Sequence, residues 1–106
     1  MKEVEIIERG DMLVAYIRCE IDHHTAKKIR EHIDGKIKLL RPANLILNFS
    51  EVDFMDSSGI GLILGRVTEL QRIGASLSVE GLSEPHIRIL RMAGIEKIKG
   101  VKLKGR

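Results

Sequence analysis

An aspartate followed by two serines and a glycine, Asp56-Ser57-Ser58-Gly59, lies near the middle of this 106-residue sequence. The apolar residues of a predicted helix follow it, so Ser57 is expected at or next to a helix start, where backbone N–H groups are unpaired. These donors and the positive end of the helix dipole would stabilise a phosphate there by roughly 0.3–2 kcal/mol. The segment could therefore carry a reversible phosphate on the Ser57 hydroxyl.

Helix capping is the alternative interpretation of the same residues, because Asp and Ser are among the preferred N-cap residues. Three glycines in the first turns of the predicted helix favour a functional surface, since glycine is costly inside a helix. These glycines are Gly59, Gly61 and Gly65. They predict a surface almost free of side chains, where another backbone can approach Ser57. A helix cap and a phosphorylation switch can then be one site.

A nucleotide-binding loop is a weaker interpretation of this segment. The spacing from Gly59 and Gly61 to Gly65 is one residue too long for G-x-G-x-x-G, and the Gly-Lys-Ser/Thr ending of a P-loop is missing. A serine hydrolase is weaker still, because Asp56 and Gly59 do not form the G-x-S-x-G motif.

A second polar cluster, Asp22-His23-His24-Thr25, precedes another predicted helix. Neighbouring histidines cannot share one helical face, and the spacing is not that of a zinc site. Surface or capping roles are therefore favoured over metal binding. Because the starts of two helices can lie on one edge of a parallel sheet, we expect Asp22 near Asp56 and Ser57.

The elements that must position these clusters follow from the spacing of apolar residues. The predicted order is strand, strand, helix, strand, helix, strand, helix and a final short strand. This order indicates an α/β fold with a mixed, mostly parallel sheet of four to five strands and helices packed on it. Gly10-Asp11 predicts a hairpin turn, Asn44 to Phe49 a strand covered on both faces, and Ser83 the cap of the third helix.

Size and composition favour one soluble domain over residues 1–106, with 43% hydrophobic and 31% charged residues. No apolar run has the length of a membrane span and no signal peptide is recognisable, so we expect no membrane contact and a cytoplasmic location. The single cysteine, Cys19, excludes an internal disulfide and fits a reducing compartment.

The net charge of +3 comes from a basic stretch near residue 100. No aromatic residue alternates with its lysines to stack on bases, so a solvated tail is favoured over nucleic-acid binding. The basic residues are Lys97, Lys99, Lys102, Lys104 and Arg106.

Three segments together resemble the anti-sigma factor antagonists of the STAS family. They are Glu20-Ile21-Asp22-His23-His24-Thr25-Ala26, Phe54-Met55-Asp56-Ser57-Ser58-Gly59-Ile60-Gly61 and Ile63-Leu64-Gly65-Arg66. Within the family, the resemblance is strongest to antagonists of the anti-sigma-F factor of spore-forming bacteria. It covers most of the chain and implies a STAS fold.

The resemblance implies a partner-switching role in transcription regulation, with Ser57 as the phosphorylated residue. The phosphate donor is ATP bound to an anti-sigma factor that is a serine kinase. The unphosphorylated antagonist binds this factor and releases the sigma factor, and a PP2C-type phosphatase reverses the modification. The protein is then a substrate and regulator rather than an enzyme, with no catalytic residue, metal or cofactor of its own.

The partner-binding surface is expected around Ser57. It comprises Asp22, His23, His24, Thr25, Asp56, Ser58, Gly59 and Gly61. Two alternatives stay open: an antagonist in a general stress pathway, and a small nucleotide-binding or phosphotransfer enzyme that uses the glycine segment.

Overall fold

A single mixed sheet of five strands organises the computed structural model, which describes residues 2–106. The strands are β1 (Val4–Arg9), β2 (Met12–Ile17), β3 (Asn44–Asn48), β4 (Ser76–Leu82) and β5 (Val101–Gly105). They lie side by side in chain order; β1 and β2 are antiparallel, and every later pair is parallel. The predicted α/β class and mostly parallel sheet are confirmed.

Three α-helices connect the parallel strands. They are α1 (His23–Leu40), α2 (Ser58–Gln71) and α3 (Glu84–Met92), and a 3₁₀ turn at Ile95–Lys97 precedes β5. Ser83 caps α3 as predicted, because its hydroxyl accepts the N–H of His86 at 3.4 Å. Among residues 2–106, no helix combines the length and the apolarity that crossing a bilayer would require.

The helices pack on one face of the sheet, because side chains alternate along each strand. In β3, Leu45 and Leu47 are completely buried in the core, whereas Ile46 is half-buried on the opposite face. The prediction that β3 is covered on both faces is therefore wrong. Ile46 is in register with Val14, and Val14 is in register with Ile7. These three side chains therefore pack side by side on the face of the sheet that no helix covers.

The basic stretch near residue 100 is largely a strand rather than a solvated tail. Val101 and Leu103 are buried in the core, while Lys102 and Lys104 are exposed on the helix-free side. The alternation of apolar and basic residues has the period of a strand, and this period explains the correction.

An ion pair inside the helical layer joins α1 to α2. Arg66 Nε lies 2.8 Å from Asp34 Oδ1, and Arg66 Nη2 donates to Asp34 Oδ2 at 3.2 Å. The Arg66 side chain is 3% exposed, and burial lowers its pKa and raises the pKa of Asp34 in spite of their attraction. The pair therefore fixes one helix against the other, because separating them would leave a buried charge without a partner.

The starts of α1 and α2 meet at one edge of the sheet. Ile21 and Met55 form an isolated parallel bridge between the two loops that lead into these helices. Ile21 N–H donates to Phe54 O at 2.9 Å, and Asp56 N–H donates to Ile21 O at 3.1 Å. The expectation that the Asp22 cluster and the Asp56–Ser57 segment lie together is confirmed.

Candidate functional site

Ser57 is exposed and immediately precedes α2. Its backbone is helical, with φ −59° and ψ −18°, and its side chain makes no capping hydrogen bond. N-cap residues that use their side chains are normally extended at this position. The Ser57 hydroxyl is therefore not used to cap its own helix.

The cap of α2 comes from Asp56 instead. Asp56 Oδ1 accepts the N–H of Ser58 at 2.8 Å, and the Asp56 carbonyl accepts the N–H of Gly59 at 3.0 Å. The two roles expected of one serine are thus divided: Asp56 caps the helix, and Ser57 stays exposed. Asp56 thus closes the backbone turn that contains Ser57.

The glycines of α2 differ in what surrounds them. Gly59 is buried, and a Cβ there would lie 2.3 Å from both Cγ and Sδ of Met55. Gly61 is exposed and Gly65 half-buried, and a Cβ on either would meet no atom within 4 Å. The expectation that Gly59 belongs to the open surface is therefore wrong, because Gly59 is buried against the Met55 side chain.

The Asp22 cluster forms a complete capping box at the start of α1. Asp22 Oδ1 accepts the N–H groups of His24 and Thr25, both at 2.9 Å. Thr25 Oγ1 accepts the Asp22 N–H at 3.0 Å and donates to the Glu20 carbonyl at 2.7 Å. The hydrogen bond from Thr25 N–H is the largest cause that lowers the pKa of Asp22, because it favours the charged carboxylate.

His23 and His24 are exposed, with ring centroids 5.8 Å apart in an edge-to-face arrangement. Thr25, in contrast, is half-buried, and its hydroxyl is occupied by the capping box. The two imidazoles are thus the exposed side chains of this cluster, and neither takes part in the capping box. No set of three or more His, Cys, Asp or Glu side chains within residues 2–106 is arranged to hold a metal ion.

Two large apolar side chains near Ser57 were not predicted from the sequence. Phe54 is 50% exposed in the loop before α2, and Leu64 is 39% exposed on α2 itself. Ser57, Gly61 and Leu64 follow one another at helical spacing and so lie along one exposed stripe of α2. The helical spacing of Leu64 from Ser57 and Gly61 was the feature of the sequence that could have predicted its exposure on this stripe.

A family model described as the STAS domain matches residues 3–104. The chain belongs to the STAS domain family. This STAS domain is 32% identical over 96 residues to the anti-sigma F factor antagonist of Paenibacillus polymyxa, which covers 91% of this chain and 82% of the relative. It is 29% identical over 101 residues to the anti-sigma-B factor antagonist of Bacillus subtilis (strain 168), which covers 95% of this chain and 91% of the relative.

Solved structures confirm the STAS fold. The anti-sigma factor antagonist SpoIIAA in its unphosphorylated form superposes with a TM-score of 0.81 at 27% identity, covering 94% of this STAS domain and 86% of that chain. The Bacillus cell fate determinant SpoIIAA in the phosphorylated form gives a TM-score of 0.75 at 27% identity, covering 94% and 89%. The STAS domain described here thus resembles a protein that exists in both states.

Proposed function

We propose that this STAS domain is a cytoplasmic anti-sigma factor antagonist that changes partner when Ser57 is phosphorylated. The observation that carries the proposal is the Ser57 hydroxyl, which is exposed and takes no part in capping at the start of α2. The similarity to antagonists of anti-sigma F and anti-sigma-B factors supports it. The partner is an anti-sigma factor with serine-kinase activity and bound ATP, and a PP2C-type phosphatase resets the switch.

The partner-binding surface of this proposal has an apolar part and an acidic part. Phe54, Gly61 and Leu64 offer contact area, and Gly61 leaves room for close approach. Asp22 and Asp56 supply negative charge beside Ser57, and both carboxylates already hold backbone N–H groups.

The remaining members of the expected surface have different roles. His23 and His24 border the surface as exposed side chains, and Ser58 lies half-buried next to the phosphorylated residue. Thr25 supports the surface through the capping box, and Gly59 supports it through its contact with Met55.

Phosphorylation of Ser57 adds close to two negative charges at this acidic surface. The nearby N–H of Ser58 is held by Asp56, so that donor is not free to neutralise a phosphate. An uncompensated charge buried in an interface costs about 3–5 kcal/mol, which lowers affinity roughly 10²- to 10³-fold or more. The phosphorylated form therefore releases the anti-sigma factor.

The test combines the purified protein, its cognate anti-sigma kinase and ATP, and locates phosphate by mass spectrometry. We expect one phosphate on Ser57, none in Ser57→Ala, and normal modification in Ser58→Ala, the matched neighbouring serine. Phosphate on Ser58, or ATP turnover by the isolated protein, would contradict the proposal. Ser57→Asp should lose affinity for the anti-sigma factor, and unchanged binding would rule out charge as the cause of release.

A general stress pathway is the second candidate, because the anti-sigma-B factor antagonist of Bacillus subtilis (strain 168) is nearly as similar as the antagonist from Paenibacillus polymyxa. Both pathways use the same site. Binding assays against the anti-sigma factors encoded in the same genome decide between sporulation and stress.

A further inference from the structure

The side chain of Arg106, which follows β5, folds back onto the loops at the edge of the sheet that carries Ser57. Its Nε donates to the Gly81 carbonyl at 2.9 Å. Its Nη2 donates to the carbonyls of Phe49 at 3.2 Å and Val52 at 2.8 Å. One guanidinium thus joins the turn after β3 to the end of β4, although these residues are far apart in the sequence.

The turn after β3 is the first part of the loop that leads to Ser57. Val52 N–H donates to Phe49 O at 2.9 Å, and this closes the turn. Gly81 packs closely against this turn: a Cβ there would lie 2.7 Å from the backbone nitrogen of Ser50, and its φ is +73°. Both features favour glycine at this position. The turn therefore packs closely against Gly81, and Arg106 binds the carbonyls of Phe49 and Val52.

The far end of the same loop is held by the bridge between Ile21 and Met55. Only the segment from Asp53 to Phe54 lies between the anchor at Val52 and this bridge. Because so short a segment has little freedom, a shift of the turn at Phe49–Val52 must displace the backbone that precedes Ser57.

Arginine suits this position better than lysine, because its planar guanidinium presents several donors in a fixed fork. His86 is 7% exposed and lies close enough to Arg106 to be affected by its charge. Burial is the main cause that lowers its pKa, and the charge of Arg106 lowers it further. The lowered pKa favours the neutral form of this imidazole near the positive charge of Arg106.

We propose that Arg106 is a positioning residue for the phosphorylation loop: by binding the carbonyls of Phe49, Val52 and Gly81 it fixes the backbone from which Ser57 is presented. This inference rests on the proposed function of Ser57 for its consequence in phosphorylation. The position of the loop itself is a property of the isolated protein and can be measured without a kinase.

The experiment compares Arg106→Lys and Arg106→Gln with Lys104→Gln, a matched control that removes a positive charge from the exposed face of β5, the strand that Arg106 follows. Amide hydrogen exchange is measured at Val52 and Asp56 in each protein, with core amides of β3 as the internal reference. Loss of the fork should speed exchange at Val52 and Asp56 roughly tenfold in both Arg106 variants, because hydrogen bonds from a charged donor are lost. Lys104→Gln should exchange like the parent.

The second readout is kcat/KM for phosphorylation of each variant by the anti-sigma kinase. We expect a roughly tenfold fall for Arg106→Gln and little recovery in Arg106→Lys, since lysine restores the charge and not the fork. Full rescue by lysine, unchanged exchange at Val52 and Asp56, or faster exchange with unchanged kinetics would each overturn the positioning role. If the parent itself is not phosphorylated, the proposed function fails, while the exchange data still decide whether Arg106 fixes the loop.

Discussion

The starts of α1 and α2 lie side by side at one edge of the sheet, and both carry an aspartate and a hydroxyl residue. At the start of α1 both capping side chains are used: Asp22 accepts two N–H groups, and the Thr25 hydroxyl both accepts and donates. At the start of α2, Asp56 accepts the N–H of Ser58, and Ser57 takes no part in the cap. Similar residues therefore give a saturated cap in one place and an available hydroxyl in the other.

This comparison shows that residue types alone do not distinguish a helix cap from a segment whose hydroxyl is left exposed. The separating feature is whether the hydroxyl has a partner inside the molecule. The Thr25 hydroxyl takes part in the cap of its helix, whereas the Ser57 hydroxyl is exposed and takes no part in one. The same contrast distinguishes Gly59, which contacts Met55, from Gly61, which faces open space.

The largest expected effect concerns the ion pair between Asp34 and Arg66, which joins the two helices. Asp34→Asn leaves the buried Arg66 charge without its counter-charge and should lower the free energy of unfolding by about 3–5 kcal/mol. Urea denaturation measures it. The double variant Asp34→Leu/Arg66→Met is the control and should lose less than the single variant. A change below about 0.5 kcal/mol in Asp34→Asn would mean that the pair does not couple the helices.

The glycines give the next largest effect, with opposite signs. Gly59→Ala forces a methyl group into Met55 and should destabilise the fold by about 1–3 kcal/mol. Gly61→Ala should stabilise it by about 0.5–1 kcal/mol, because alanine favours the helix and has space. Equal effects of the two substitutions in urea denaturation would remove the contrast. Weaker binding of the stabilised Gly61→Ala to the anti-sigma factor would show that the space serves the partner.

The two aspartate caps should differ in strength. Asp22→Ala should lower the thermal midpoint by roughly 4–8 °C, and Asp56→Ala by less, because Asp22 accepts two N–H groups and is part of a capping box.

The pKa of Asp22 is lowered in the fold, so its charge-dependent contribution to stability is present above the ordinary pKa of 3.8 and is lost as pH falls through the lower native value. Asp22→Asn keeps an oxygen acceptor and is therefore the control for the charge. Melting curves are recorded at pH 3 and pH 7, about one unit below and about three units above the ordinary pKa of 3.8. Equal losses at both pH values would contradict the role of the charge.

The smallest expected effect is that of Ser57→Ala on stability. The free energy of unfolding should change by less than about 0.5 kcal/mol, because the hydroxyl makes no capping bond. Thr25→Ala, the matched hydroxyl in the saturated cap, should cost about 1 kcal/mol in the same urea titration. A similar loss in both variants would show that Ser57 also stabilises its helix.

Much of the fold could be predicted from the sequence, because the spacing of Ile29, Ile33 and Ile37 is that of a helix and the short apolar run of β3 is that of a strand. The capping role of Asp22 was also predictable, since capping chemistry is local. The nearness of Asp22 to Ser57 followed from the parallel sheet, whose helix starts share one edge.

Other features could not be predicted, because they depend on contacts between distant parts of the chain. Gly59 and Gly61 have the same local sequence character, and only the position of Met55 across the turn distinguishes them. The clamp of Arg106 on Phe49 joins residues 57 positions apart. The partial burial of Ile46 on the helix-free face depends on its register with Val14 in the neighbouring strand. Periodicity indicates which face a residue occupies but not what covers it.

The order of strands in the sheet has a consequence for synthesis on the ribosome. Each strand lies beside the one made just before it, so the sheet can grow from one edge as the chain emerges. The loop that carries Ser57 is synthesised half-way through, but its anchors at Gly81 and Arg106 emerge later. We therefore expect the nascent chain to contain Ser57 well before the loop around it reaches its final position, which requires β5 to join the sheet and Arg106 to follow it.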